Sequence, residues 1–165
     1  MGKKVISFGL NTKDINRAIK EVEEYKKDIL RKEKLLLEKL AYIGVKEASV
    51  RFTTAMYDGV NDSSVSLEQT SNGYAIVAQG NAVAFIEFGT GVYHNTSEPY
   101  PNPRPEGIVG IGEYGQGKGK RKAWGYRDEG GEVVITRGNP ASMPMWYATE
   151  EMRRSILQIA KEVWG

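Results

Sequence analysis

Cysteine is absent from this sequence, and histidine occurs once, at His94. The first absence removes disulfides, zinc–thiolate sites and a cysteine nucleophile. The second removes multi-histidine metal centres, and any Ser-His-Asp triad would have to be built on His94. That residue lies in a stretch that reads as loop, where an exposed histidine is the default. Asp58, Asp62 and Glu68 lack the spacing of a calcium loop. Excess charge of one sign is also lacking: the formal net charge is +2, so any case for nucleic acid has to be local rather than global. No apolar run approaches the roughly 18 residues of a membrane span. The opening stretch from Met1 to Leu10 has two lysines, but its apolar part is too broken for a signal peptide. The expectation is a protein that stays where it is made, with no membrane partner. The sequons at Asn61 and Asn95 are discounted for the same reason.

What the sequence does contain is a globular mixture, 40% hydrophobic and 27% charged. Its length suits a single domain over residues 1–165. Residues 3–10 read as a short strand or an extended arm. Asn11 or Thr12 then caps a long helical region over 12–56, with Asp14 placed against the helix dipole. Ile15, Ile19, Val22, Ile29, Leu36, Leu40 and Ile43 recur at helical steps and form one apolar stripe. Glu23 with Lys27, and Asp28 with Lys32, have the spacing of ion pairs on the wet side. Gly44 either ends the helix or lies inside it as a weak point, and beyond it Ala48, Phe52 and Ala55 or Met56 form a possible face. A helix of some thirty residues is about 45 Å long. That exceeds the width of a domain this size, so part of it is expected to project or to pack on another chain.

Val65 and Leu67 alternate with polar residues, Ser71-Asn72-Gly73 is a hairpin turn, and residues 74–78 are the return strand. Residues 82–88 fit either a third strand or a short helix capped by Asn81 and ended by Gly89. Residues 91–130 lose regular patterning and read as a long loop, too aromatic for a bare linker. Glu132 to Thr136 is expected to complete the sheet. Pro144 suits the first turn of a C-terminal helix. That helix would bury Ala148, Met152, Ile156, Ile159, Ala160 and Val163, turn Arg153, Arg154 and Lys161 outward, and offer Trp164 as an anchor. The class is therefore α+β: a long N-terminal and a C-terminal helix on a small, mainly antiparallel sheet, with a long inserted loop.

Gly110 to Gly115 matches G-x-G-x-x-G, but the glycine-rich sequence after it cannot start the helix that a dinucleotide site needs. Gly112 to Lys118 is a near-miss of a phosphate loop, with Gly119 where a Ser or Thr should hold magnesium. No cofactor is expected. Lys118, Lys120, Arg121 and Lys122, with Trp124, Tyr126 and Arg127 following, form the one basic–aromatic cluster. A solvated loop is its ordinary reading, and contact with DNA phosphates is the functional one.

Glu87 is the one carboxylate in the apolar run from Ala82 to Phe88, and Gly89-Thr90-Gly91 follows. A buried carboxylate needs a donor, whether Arg, Lys, a protein edge or a neighbouring subunit. It could be a reagent or a clamp, and the clamp is the commoner outcome.

Glu87-Phe88-Gly89-Thr90, followed by a variable loop and then the Pro-plus-aromatic motif Pro140 to Ala148, resembles the tail-completion family of tailed phages, the head-to-tail joining proteins of the neck. The resemblance favours a helix over 82–88. It implies a non-enzymatic structural protein that forms a ring, commonly of six, in a virion or phage-derived tail particle, made in the host cytoplasm. Its partners would be copies of itself and adjoining neck, tail-terminator or tail-tube proteins. Contacts between copies would involve Glu87, Phe88, Gly89, Thr90, Trp124, Tyr126 and Trp146. DNA passing through the ring would meet Lys118, Lys120, Arg121 and Lys122. The alternatives are a tail terminator capping the tube, or a small hydrolase-like enzyme using Glu87.

Overall fold

The computed structural model describes residues 5–57, 59–89, 123–128, 130–136, 138–139 and 141–165. It has an α+β architecture. Helix α1 runs Thr12–Thr54 without a break. Asn11 is its cap: the side chain accepts the Asp14 N–H at 2.9 Å and donates to Asp14 Oδ2 at 2.8 Å. At the other end the Asn61 side chain donates to the Phe52 carbonyl at 2.8 Å. Asp28 pairs with Arg31 at 2.7 Å and with Lys32 at 3.1 Å. The expected pair of Glu23 with Lys27 does not form among the described ion pairs. Two long, exposed side chains gain too little to hold one geometry.

Gly44 does not end α1 but lies inside it. It lies where α1 meets both other layers: a Cβ there would strike Ile76 Cδ1 and come within 2.6 Å of Met152 Sδ. Strands β1 (Ser64–Thr70) and β2 (Gly73–Gln79) form a hairpin around Ser71-Asn72, with Thr70 opposite Gly73 and Leu67 opposite Ile76. Helix α3 (Pro144–Trp164) runs antiparallel to α1. Arg51 lies 4.0 Å from the Tyr147 ring at one end of the pair, and Lys39 reaches Glu162 at 3.0 Å at the other.

The core forms where these elements converge: Ala48 and Phe52 of α1, Ala82 and Ile86, and Ala148 of α3, with Val65, Ala78 and Met145 packed around them. Burying Phe52 and Ile86 contributes about 1.5–3 kcal/mol each. Within α3, Ala148 and Ile159 are buried and Arg153, Arg154 and Lys161 face out as expected, but Ile156 does not belong to the buried face; it is 42% exposed. Trp164 is half-buried.

Residues 82–88 form the helix that the resemblance favours: α2 is Val83–Phe88, closed by the Gly89 N–H on the Phe85 carbonyl at 2.9 Å. Three further expectations are corrected. Asn81 does not cap α2 with its side chain. The Asp62 carboxylate accepts the N–H groups of Asn81 and Ala82 instead, both at 2.8 Å. Residues 124–127, read as part of the long loop, are strand β3 (Trp124–Arg127). Strand β4 (Val133–Thr136) pairs antiparallel with β3 and not with the first hairpin, so there are two separate two-stranded sheets. The reason is local. Asp128 ties the turn by accepting the Gly131 N–H on its carbonyl and the Glu132 N–H on its side chain, and Gly131 takes φ +82°. Residues 5–10 form no strand.

Candidate functional site

Pro144 has no N–H, and the residue before it, Met143, is left-handed at φ 50°, ψ 45° and makes no side-chain cap. Helix α3 therefore opens with backbone donors at Met145 and Trp146 that its own chain end does not satisfy. Glu87, on the last turn of α2, supplies both acceptors. Its Oε2 takes the Met145 N–H at 2.8 Å and its Oε1 takes the Trp146 N–H at 3.2 Å. The next N–H, of Tyr147, is bonded within the helix to the Met143 carbonyl at 3.0 Å. The first turn is thus satisfied by one carboxylate 58 residues upstream.

Glu87 is 4% exposed. Its charge is offset by two charge-assisted bonds and by the positive end of the α3 dipole. Sequence reasoning asked for a donor and named Arg, Lys, an edge or a neighbouring subunit. The partner described here belongs to the same chain, so the fastening lies between α2 and α3.

A second link lies beside it. The Ser142 N–H donates to the Ile86 carbonyl at 2.9 Å. Gly89 takes φ 70°, ψ 168°, and a Cβ there would lie 2.6 Å from the Ala141 nitrogen and 2.9 Å from the Asn139 carbonyl oxygen. Only glycine fits both the angle and the space. Residues 86–89 and 139–146 are thus stitched together.

Of the residues singled out from the sequence, Glu87, Phe88, Gly89 and Trp146 meet at this junction. Phe88 is buried and Trp146 half-buried. Tyr126 lies on β3, partly exposed, and Trp124 begins that strand. Thr90, His94, Lys118, Lys120, Arg121 and Lys122, and the G-x-G-x-x-G stretch, lie outside the described residues. Sequence reasoning missed Asp62 as an acceptor for the turn into α2. It also missed the Met145 and Trp146 N–H groups as the partners of Glu87. The available signal was the absence of Ser, Thr, Asp or Asn at position 143, immediately before a helix-opening proline.

Among the described residues no three His, Asp or Glu side chains gather to hold a metal ion. Two open clefts are lined by other parts of the molecule. One of about 250 Å3 lies between Leu30, Lys34 and Leu37 of α1 and the Asn72–Tyr74 end of the hairpin. One of about 340 Å3 lies between the arm, at Ile6 and Phe8, and Ile15, Ile19 and Val22 of α1. No helix of the described residues is long and apolar enough to cross a membrane. Comparison with known proteins gives no match: no family model, no curated protein and no solved structure matches the chain.

Proposed function

We propose that the protein is a ring-forming structural subunit at the neck or tail end of a tailed phage or phage-derived tail particle, where it joins or completes the tail. The observation that carries this reading is the junction at Glu87. The two stretches that resemble the tail-completion family, Glu87 to Thr90 and Pro140 to Ala148, are far apart in sequence. They are bound to each other by the Glu87 carboxylate and the Met145 and Trp146 N–H groups. A motif pair whose halves fasten one another is what a load-carrying part needs. The same carboxylate would have to abandon two buried donors to act as a base, at a cost of about 1–3 kcal/mol for each donor left bare.

The exposed apolar residues of α1 add support, since contiguous apolar surface marks interaction sites. In this reading the ring is built of copies of the chain, six by the resemblance. The junction holds the base of the segment that reaches a neighbouring copy or the adjoining neck, terminator or tube protein. Lys118, Lys120, Arg121 and Lys122 would face DNA in the lumen.

Native mass spectrometry and sedimentation of the purified chain, followed by electron microscopy of the assembled species, test the proposal. A closed ring of defined copy number is expected. A chain that stays monomeric at its highest soluble concentration, alone and with tail-tube protein, would refute it and return Glu87 to the enzyme reading.

A further inference from the structure

The face of α1 that packs on α3 and the hairpin does not stop where they stop. Glu162, near the end of α3, sits at Lys39, and the hairpin turn reaches only Leu30 to Leu37. The preceding turns, from Thr12 to Ile29, extend about 27 Å further. They keep the apolar stripe: Ile15, Ile19 and Val22 stay exposed, Val22 by 53%, and among the described residues the arm covers part of them. The stripe continues the helix's packing face, and no helix of the described residues lies on it. Glu21 and Glu23 flank Val22 on its two sides, and neither forms an ion pair among the described residues. Lys26 ends the apolar stretch one turn on.

Helix α3 carries the counterpart. Leu157 is 75% exposed on the side opposite the buried Ala148 and Ile159. Arg154 and Lys161, within one turn of it on either side, face solvent and also form no ion pair among the described residues, whereas Arg153 is held by Glu150 at 2.8 Å. Because α3 turns Ala148 and Ile159 toward the body, Leu157 cannot reach the α1 of its own chain.

We propose that the open face of α1 before Leu30 seats the outward face of α3 from a second copy, with Leu157 entering the cleft at Ile15, Ile19 and Val22 and Arg154 and Lys161 meeting Glu23 and Glu21. The two surfaces differ, so the contact is heterologous. Each copy offers one of each, so repetition builds a ring when the rotation between copies divides a full turn, and a filament otherwise. This inference rests on the ring reading and names the faces that build it.

The test uses the full chain and two variants altered at exposed positions, Val22→Asp and Leu157→Asp. A circular dichroism spectrum matching wild type and a cooperative thermal transition verify that both are folded. Each variant alone should be monomeric. Mixed, they should form a heterodimer and nothing larger, because one intact cleft meets one intact leucine and both remaining faces are spoiled. Arg154→Glu with Lys161→Glu should weaken assembly by about tenfold or more, and adding Glu21→Lys and Glu23→Lys should restore it. A wild-type chain that never assembles overturns the inference together with the ring reading. Wild-type rings that persist in either single variant overturn the inference alone. Loss of assembly in both variants without heterodimer on mixing does the same, since the two faces then do not pair.

Discussion

Replacing Glu87 by glutamine keeps its size but leaves one oxygen to serve two donors. One N–H at the start of α3 then lacks an acceptor, and Glu87→Gln should cost about 1–3 kcal/mol in urea unfolding. Gly89→Ala should be worse, about 3 kcal/mol or more. The new methyl meets backbone at Ala141 and Asn139 that cannot step aside, and the angle itself excludes most side chains. Gly44 responds differently, because the atoms in its way are the ends of flexible side chains. Gly44→Ala gains about 1 kcal/mol of helix propensity and loses about 1–3 kcal/mol to overpacking. A net loss of about 1 kcal/mol is expected, and the branched Gly44→Val should lose more. Thermal unfolding of the two variants side by side checks that order. At this scale the sequence was partly readable. A carboxylate in an apolar run announces that it has a partner, but that partner is a pair of backbone N–H groups, which no side-chain pattern displays. Gly44 looked like a weak point because a helix-breaking residue in isolation carries no sign of the two side chains it makes room for.

Helices α2 and α3 share a way of starting. Neither has a side-chain cap of its own, and each opening turn is completed by a carboxylate from elsewhere, Asp62 for the turn at Asn81 and Ala82, and Glu87 for α3. The N–H groups of Ala82 and then Asn81 hold the Asp62 carboxyl below its ordinary 3.8. With the folded value lowered, the unfolded chain takes up the proton first. The stabilisation is therefore complete well above pH 3.8 and is lost as acid carries the pH below it toward the folded value. The melting temperature of wild type should exceed that of Asp62→Ala above about pH 5, and the gap should narrow below pH 3.8. Asp28 and Glu162, also lowered by their Arg31 and Lys39 partners, are common to both chains and cancel in that difference. Elements with a long period were legible: α1 and α3 showed their starts in Asn11 and Pro144. The strands of the first hairpin and β4 were legible too, but β3 was not. Gly125 and Arg127 broke the alternation of β3, and without β3 the only visible partner for β4 was the wrong sheet.

The described residues divide into a body, made of α1, the first hairpin, α2 and α3, and the separate β3–β4 hairpin. Among the described residues, the core cluster draws on α1, the first hairpin, α2 and α3, and on nothing between Gly89 and Ser142. Replacing residues 91–137 with a short glycine–serine linker should therefore leave a cooperative unfolding transition, with the melting temperature within about 5 °C of wild type by calorimetry. Loss of cooperativity would show that the interval helps to hold the body. The backbone at Ile86 to Gly89 and at Asn139 to Ser142 lies side by side, so the chain departs and comes back through one doorway. A span anchored this way can be lengthened cheaply, since doubling it costs only about 0.6 kcal/mol in closure entropy. Its contents are thus free to be rewritten to suit whatever lies beyond, while the frame that carries it keeps its shape.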